Sequence, residues 1–145
     1  MKIIIEEIPE AEEEQVVIRC HELDDSLLAL VRKVKNRNDL IVGYEEDKIR
    51  RIRPDSIYYF EAVDNKIFLY CRKSVYESRQ KLYELEERLG EGSFFRASKS
   101  VLLNLERIDF VRPAFTGRFE AVLDNGEKVM ISRQYVPELK KRLGL

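Results

Sequence analysis

The stretch FFRASKSVLLNLERI, at residues 94–108, is followed at residues 116–136 by TGRFEAVLDNGEKVMISRQYV. Both stretches contain short apolar runs broken by polar residues, which is typical of strands in an antiparallel sheet. Polar side chains suited to phosphates or base edges fall at or beside the ends of these runs: Arg96, Ser98, Lys99, Ser100, Asn104, Arg118, Ser132 and Arg133. These residue types do not suit covalent catalysis, so the pattern favours a binding surface.

Length and composition indicate one compact unit. The chain has 145 residues, of which 44% are hydrophobic, and this is enough for one buried core. No run approaches the roughly 18 apolar residues of a membrane span, and acidic residues follow Met1 too early for a signal peptide. We therefore expect a cytoplasmic protein. Cys20 and Cys71 each end an apolar run, which favours reduced, buried thiols over a disulfide.

Charge is segregated along the chain. The 26 Lys and Arg residues nearly balance the 27 Asp and Glu residues, for a net charge of −1. Residues 1–25 nevertheless carry two basic and nine acidic residues, whereas residues 93–145 carry ten basic and six acidic residues. A cationic surface can therefore exist on a nearly neutral protein, and the acidic start opposes indiscriminate binding to polyanions.

The first 39 residues are predicted to form a small strand-strand-helix unit. Residues 1–8 and 15–20 have strand-like composition and flank an acidic turn that contains Pro9. Asp24 or Asp25 can cap a helix whose apolar residues recur at helical spacing up to the break at residues 36–38. Composition favours an appendage that packs against the remainder of the chain over a ligand-binding module.

The remaining residues, 40–145, are predicted to be rich in β-strands. Apolar alternation and turn residues predict strands at residues 40–44, 48–53, 57–62, 66–72, 101–104, 108–113, 118–123 and 128–131. Helical spacing predicts helices at residues 78–89, which Gly90 ends, and 133–143. Asn125-Gly126 between two apolar runs predicts a type I′ hairpin turn, in which both residues have positive φ.

Four segments together resemble the LytTR-type DNA-binding domain of bacterial transcription regulators. They are IYYFEAVDNKIFLY at residues 57–70, KLYELEERL at 81–89, FFRASKSVLLNLERIDFV at 94–111 and GRFEAVLDNGEKVMISRQYVPELKKRL at 117–143. The resemblance covers about residues 40–143. It implies a mainly β fold with short helices (α+β), elongated and antiparallel, whose loops enter successive major grooves of double-stranded DNA. The unit at residues 1–39 precedes this domain.

The resemblance also implies which residues contact DNA. Asn104 and Arg133 are the strongest matches, and their side chains have the geometry to read adenine and guanine edges. Lys99 suits a phosphate, and Ser98, Ser100 and Ser132 could add backbone contacts. Asn65, Lys66 and Arg96 complete the implied set. Each residue also has a structural alternative: Asn104 supports a turn, Ser132 caps a helix, and Arg118, outside the implied set, pairs with Glu120 or Asp109.

The chain departs from many family members at its start. Many such regulators carry a phosphoacceptor receiver domain, but about 39 residues precede the match here. We therefore expect a stand-alone regulator, similar to response regulators but without aspartyl phosphorylation. The resemblance further implies a homodimer on repeated half-sites, with a membrane-embedded inhibitor protein as a further partner. Either could use residues 1–39 for dimerisation or docking.

Catalysis, metal binding and a cofactor have little support in the sequence. His21 is the only histidine, and the two cysteines are distant from each other. We therefore predict neither an enzyme nor a metalloprotein, and no cofactor. The competing hypothesis is a protein-binding module that uses the same β scaffold to regulate a partner without binding DNA.

Overall fold

The computed structural model describes residues 1–35, 39–90 and 92–145. Ten strands form within this part of the chain: β1 (Ile41–Glu45), β2 (Lys48–Ile52), β3 (Ile57–Val63), β4 (Lys66–Cys71), β5 (Val75–Ser78), β6 (Phe94–Ser98), β7 (Val101–Asn104), β8 (Ile108–Pro113), β9 (Phe119–Leu123) and β10 (Lys128–Ile131). The three α-helices there are α1 (Asp25–Lys35), α2 (Leu82–Leu89) and α3 (Val136–Leu143). The prediction of a mainly β fold with short helices is confirmed.

The strands form two antiparallel sheets. Seven strands make the large sheet, in the order β2-β1-β5-β4-β3-β7-β6, and three make the small sheet, in the order β10-β9-β8. A backbone hydrogen bond joins the two sheets. In it, the Ser132 amide after β10 donates to the Ala97 carbonyl of β6 over 2.8 Å. The ends of β6 and β10 therefore lie side by side.

The central strands of the large sheet are buried on both faces. On one face, Phe60, Phe94 and Leu102 pack in the same cluster as Leu82 and Leu85 of α2. On the other face, the cluster contains side chains from the same strands, the small sheet and α3: Tyr58, Phe95, Leu103, Ala121, Ile131 and Leu139. Burying each large apolar side chain stabilises the fold by about 1.5–3 kcal/mol. The protein thus has three layers, with β3, β6 and β7 in the middle.

The structure differs from the predicted elements after residue 72. It contains two strands that the apolar pattern did not predict, β5 and β6. Because β5 pairs with β4 and β1, α2 begins at Leu82 rather than at Ser78. The last helix also begins later, since Arg133–Tyr135 form a 3₁₀ turn and α3 starts at Val136 with Pro137 in its first turn, where proline is tolerated.

The two predicted N-terminal strands are wrong. Residues 1–24 contain no strand, and Ile3, Ile4 and Ile5 are 81%, 71% and 87% exposed. Strand-like composition alone is insufficient, because a strand needs a partner for its backbone hydrogen bonds. The break predicted at residues 36–38 lies outside the described residues.

The helix predicted to begin at Asp24 or Asp25 is confirmed as α1, and Asp24 is its N-terminal cap. The Leu27 amide donates to the Asp24 carboxylate over 2.9 Å. This hydrogen bond is the main reason that the pKa of Asp24 is lowered. No helix in the described residues is long and apolar enough to cross a bilayer.

The cysteine prediction is half right. Both thiols are free, as expected, but Cys20 is exposed rather than buried. Cys71 is partly buried in β4, and burial raises the pKa of its thiol.

The turn between β3 and β4 has type I′ geometry, whereas the turn predicted at Asn125-Gly126 differs from prediction. Asp64 and Asn65, between β3 and β4, have φ values of 50° and 62°, as a type I′ turn requires. At the predicted type I′ turn, Gly126 has a φ of 88°, whereas Asn125 keeps an ordinary φ. The Asn125 side chain instead accepts a hydrogen bond from the Glu127 amide and donates to the Arg72 carbonyl. Asn125 therefore ties the small sheet to the large one.

Candidate nucleic-acid interface

Two tight turns lie side by side at one end of the large sheet. β3 pairs with both β4 and β7, so the turn after β3 lies beside the turn before β7. The Ala62 amide donates to the Ser100 carbonyl over 2.8 Å and fixes the two turns together. Asn65 and Lys66, both exposed, therefore lie at the same end of the sheet as Ser100. The structure brings the predicted first loop and the predicted Lys99 segment together.

Arg96 holds the turn between β6 and β7 in shape. Its guanidinium donates to a Glu86 carboxylate oxygen and, over 2.7 Å, to the Lys99 carbonyl. The Ser98 hydroxyl accepts a hydrogen bond from the Ser100 amide over 3.2 Å. The Lys99 backbone is thus fixed on both sides while its side chain is exposed. Because Arg96 is engaged twice within the protein, the geometry favours a positioning role for it.

Arg133 occupies the start of the 3₁₀ turn after β10, next to the join between the sheets. A Cβ placed on Gly117 would lie 2.9 Å from Cδ and 3.1 Å from Cγ of Arg133. The aliphatic stem of Arg133 therefore lies against the Gly117 backbone, which leaves the guanidinium exposed. Gly117 has a φ of 76°, a conformation that glycine adopts without strain. The preceding Ser132 makes no side-chain cap, so its predicted structural alternative is not observed.

The loop between β8 and β9 lies beside Arg133. Phe115 is 87% exposed, and Arg118 donates to the Phe115 carbonyl over 3.3 Å. The alternative that Arg118 pairs with Glu120 or Asp109 is wrong, because Arg118 makes neither ion pair within the described residues. Glu120 instead binds Arg112 over 2.8 Å and Lys128 over 3.8 Å. These cations lower the pKa of Glu120.

A cleft of about 330 Å³ between the two sheets adds further polar groups, because Ser98, Arg118, Lys128 and Ser132 line it. We use the name contact surface for the residues at this end of the molecule: Asn65, Lys66, Ser98, Lys99, Ser100, Phe115, Arg118, Lys128, Ser132 and Arg133. Lys66, Lys99 and Arg133 have no side-chain hydrogen bond or ion pair within the described part of the chain. Unpaired cations on rigid turns suit binding to a polyanion.

Asn104 lies apart from the contact surface. It ends β7, whereas Lys99 and Ser100 precede that strand, so Asn104 is at the opposite end of it. The side chain is 0% exposed. Its amide nitrogen donates to the Ile57 carbonyl over 2.8 Å, and its oxygen accepts from the Glu106 amide over 3.0 Å. The prediction that Asn104 reads a base disagrees with this geometry, and its structural alternative, support of a turn, agrees.

The Asn104 end also carries a network of paired polar groups. Asp124 accepts hydrogen bonds from the Tyr58 hydroxyl, Arg72 and Arg107. Arg107 also donates to the Asp55 carbonyl over 2.9 Å. The Tyr58 hydrogen bond, and after it Arg107 and Arg72, hold the pKa of Asp124 below its usual value. We use the name closed end for Asn104, Tyr58, Asp124, Arg72 and Arg107, whose polar groups bind one another or backbone.

Comparison with known families decides the class of this protein. The family model described as the LytTr DNA-binding domain matches residues 47–144, which include the contact surface and the closed end. The chain belongs to the LytTr DNA-binding domain family. The expectation of a DNA-binding protein rather than an enzyme agrees with this membership.

Relatives and a solved structure agree with the LytTr assignment. The chain is 32% identical to the sensory transduction protein LytT of Enterococcus faecalis over 69% of its own length and 41% of the relative's. It is 29% identical to the transcriptional regulatory protein YpdB of Escherichia coli K12, over 77% and 46% of the two chains. The chain thus spans less than half of these relatives. A LytTr DNA-binding domain from a putative methyl-accepting/DNA response regulator of Bacillus cereus superposes with a TM-score of 0.70, at 26% identity, over 73% of this chain and 97% of that one.

The sequence did not predict Phe115 and Lys128 as residues of the contact surface. The signal for Phe115 was a large aromatic residue in the loop between two strands, next to Thr116 and Gly117. An aromatic residue in such a loop has no core to fill and is a candidate for binding. Lys128 had no comparable signal, because a single lysine at the start of a strand is common. The described residues contain no group of three or more side chains suited to a metal ion.

Proposed function

We propose that this protein is a sequence-specific DNA-binding transcription regulator that binds double-stranded DNA through the contact surface. The observation that carries the proposal is the placement of exposed, unpaired Lys66, Lys99 and Arg133 on neighbouring turns within the LytTr-matched residues. The turns at the ends of the two sheets enter successive major grooves. The residues between these turns lie along the phosphates that separate the two grooves.

Arg133 is the proposed base reader. Its planar guanidinium can donate two parallel hydrogen bonds to O6 and N7 of guanine. Packing of its stem against Gly117 supports this role, since a restrained side chain loses less freedom on binding. Asn65 is the exposed amide of the set and replaces Asn104 as the candidate reader of adenine.

Lys99, Lys66, Arg118 and Lys128 are proposed to bind phosphates. The serines Ser98, Ser100 and Ser132 add hydroxyl and backbone donors that position the protein without reading sequence. Phe115 is proposed to contact a thymine methyl group or a sugar, because its ring is exposed in the same loop as Gly117, which packs against Arg133.

The partners and cellular setting belong to the same proposal. A homodimer on repeated half-sites, a membrane-embedded inhibitor protein and a cytoplasmic location are supported by family resemblance. The stand-alone arrangement stays a prediction. The acidic residues 1–25 support selective rather than general affinity for DNA, because they repel phosphates away from the contact surface.

Selection of bound fragments from the source genome tests the proposal. Fluorescence anisotropy on the selected site and on random DNA should then give affinities that differ by about 10³-fold or more. The logarithm of affinity should fall linearly with the logarithm of salt concentration, by about 0.9 for each phosphate contact. A failure to enrich any sequence, or a flat salt response, would reject the proposal in favour of a protein-binding module.

A further inference from the structure

The strand β2 is an open edge of the large sheet and carries three basic residues, of which Arg50 lies 3.7 Å from the Glu45 carboxylate of β1. Among the described strands it pairs with β1 alone, so its outer backbone groups have no strand partner. Its residues read KIRRI, and Lys48, Ile49, Arg50 and Arg51 are all exposed. Ile49 is 68% exposed. Such an edge is available for pairing with another strand.

The segment at residues 1–8 has the opposite character. It reads MKIIIEEI, belongs to no helix or strand and has no strand partner. Ile5 is 87% exposed, and Ile8 is 39% exposed. Pro9 follows directly and would end a strand there, because it lacks an amide donor. The segment has the composition of a strand but lacks a neighbour in the single chain.

The two segments are complementary residue by residue. Residues 5–8 read IEEI and residues 49–52 read IRRI, so each has two isoleucines around two like charges of opposite sign. In an antiparallel pair, Glu6 faces Arg51 and Glu7 faces Arg50, while Ile5 faces Ile52 and Ile8 faces Ile49. Facing pairs of opposite charge and facing apolar pairs both stabilise a sheet.

We propose that residues 5–8 of one chain add as a strand to the β2 edge of a second copy, reciprocally, and so form the homodimer. The second copy is the occupant because the single chain leaves both the segment and the edge open. Reciprocal exchange closes both edges at once and makes the interface two-fold symmetric. The inference gives a specific surface to the homodimer of the proposed function, and it uses no residue of the contact surface.

A charge-swap experiment on the full chain without DNA tests this inference. One variant carries Glu6→Lys and Glu7→Lys, and the other carries Arg50→Glu and Arg51→Glu. Each variant alone places like charges opposite each other and should raise the dissociation constant of its homodimer about tenfold or more. A mixture of the two restores opposite charges at both contacts and should form a heterodimer, which native mass spectrometry identifies by its mass.

The results separate the proposal from its rivals. A monomeric wild type, or variants that dimerise as well as the wild type, would overturn it. Pairing within one chain predicts that mixing restores nothing, and that outcome also overturns it. The substitution of Lys140→Glu with Lys141→Glu, two exposed lysines on α3, is the matched control and should leave the dimer intact.

Hydrogen exchange of the wild-type protein provides a measurement that needs no variant. The amides of residues 5–8 that would face β2, and the outward-facing amides of β2 that do not bond to β1, should become protected as protein concentration rises, since pairing between copies depends on concentration. Exchange at these amides that stays fast at every concentration contradicts the inference. DNA affinity, measured separately, distinguishes loss of the dimer from loss of the proposed function.

Discussion

The contact surface and the closed end lie at opposite ends of the same central strands, and both are rich in polar residues. At the closed end, Asp124 accepts hydrogen bonds from three side chains, and Asn104 uses both ends of its amide within the protein. At the contact surface, Lys66, Lys99 and Arg133 have no such side-chain partners within the described residues. Polar groups that bind one another stabilise the fold, whereas exposed and unpaired groups are available to a ligand. Polar residues at the end of a strand therefore do not by themselves indicate a binding surface. The hydrogen-bond partners of those residues show whether they stabilise the fold or are available to a ligand.

The largest expected effect is at Asn104. Asn104→Ala leaves the Ile57 carbonyl and the Glu106 amide without partners and should lower the free energy of unfolding by about 2–3 kcal/mol. Urea unfolding measures this loss. Lys99→Ala, at an exposed position, is the control and should change stability by less than about 0.5 kcal/mol. A normal stability for Asn104→Ala with a loss of cognate binding would reverse the roles of the two ends.

Arg133 should show the opposite behaviour. Arg133→Ala should weaken binding to the selected site by about 1–3 kcal/mol and change random-DNA binding much less. Arg133→Lys keeps the charge but lacks the fork, so it should keep random-DNA affinity and still lose discrimination between sites. Anisotropy titrations on both DNAs measure this difference. Equal losses on the two DNAs would make Arg133 a phosphate contact.

Lys99 should affect every DNA alike. Lys99→Ala should reduce the slope of log affinity against log salt by about one unit, because one phosphate contact is lost. Lys73→Ala is a matched control, since Lys73 is an exposed lysine after β4, on the closed-end side of the sheet. If both variants change the slope equally, the two ends do not differ in their contribution to phosphate binding, which contradicts the comparison.

Asp124 should give the smallest effect, and one that depends on pH. Its folded pKa is depressed, so its contribution to stability is present above the unfolded pKa of about 3.9 and is lost as pH falls through the folded pKa. Asp124→Asn should therefore destabilise the protein at neutral pH and have little effect in acid below both pKa values. Urea unfolding at the two pH values measures this. An equal loss at both would mean that charge is unimportant in this network.

Much of the fold follows from local pattern. The alternation of β3 and β4, the four-residue run of β7 and the helical spacing of α1 predicted these elements closely. β6 was missed because Phe94 and Phe95 are adjacent and both buried, one on each face of the sheet, and a register shift follows between Arg96 and Ser98. A strand buried on both faces shows no clean alternation. The N-terminal strands were predicted wrongly because pattern does not reveal whether a partner is present.

The candidate site was harder to predict than the fold. Lys99 and Arg133 were proposed from family resemblance, and the structure places both at exposed positions. Asn104 belongs to the same matched segment, but it lies at the far end of β7 from Lys99. Its side chain is buried there and bonds to the Ile57 carbonyl of β3 and to the Glu106 amide after β7. Burial of one residue in a matched segment depends on packing between sheets, which a linear motif does not encode.

The hydrogen bond between Ser132 and Ala97 relates the spacing of residues in the protein to the spacing of base pairs in the proposed complex with DNA. One residue of a strand advances the chain by about 3.3 Å, and one base pair advances the double helix by about 3.4 Å. An insertion of one residue between Ile131 and Ser132 would thus move Arg133 by nearly one base pair relative to Lys99. The proposed spacing between the base that Arg133 reads and the phosphate that Lys99 binds therefore depends on how the two sheets are joined, and the Ser132–Ala97 hydrogen bond is one of the contacts that set it.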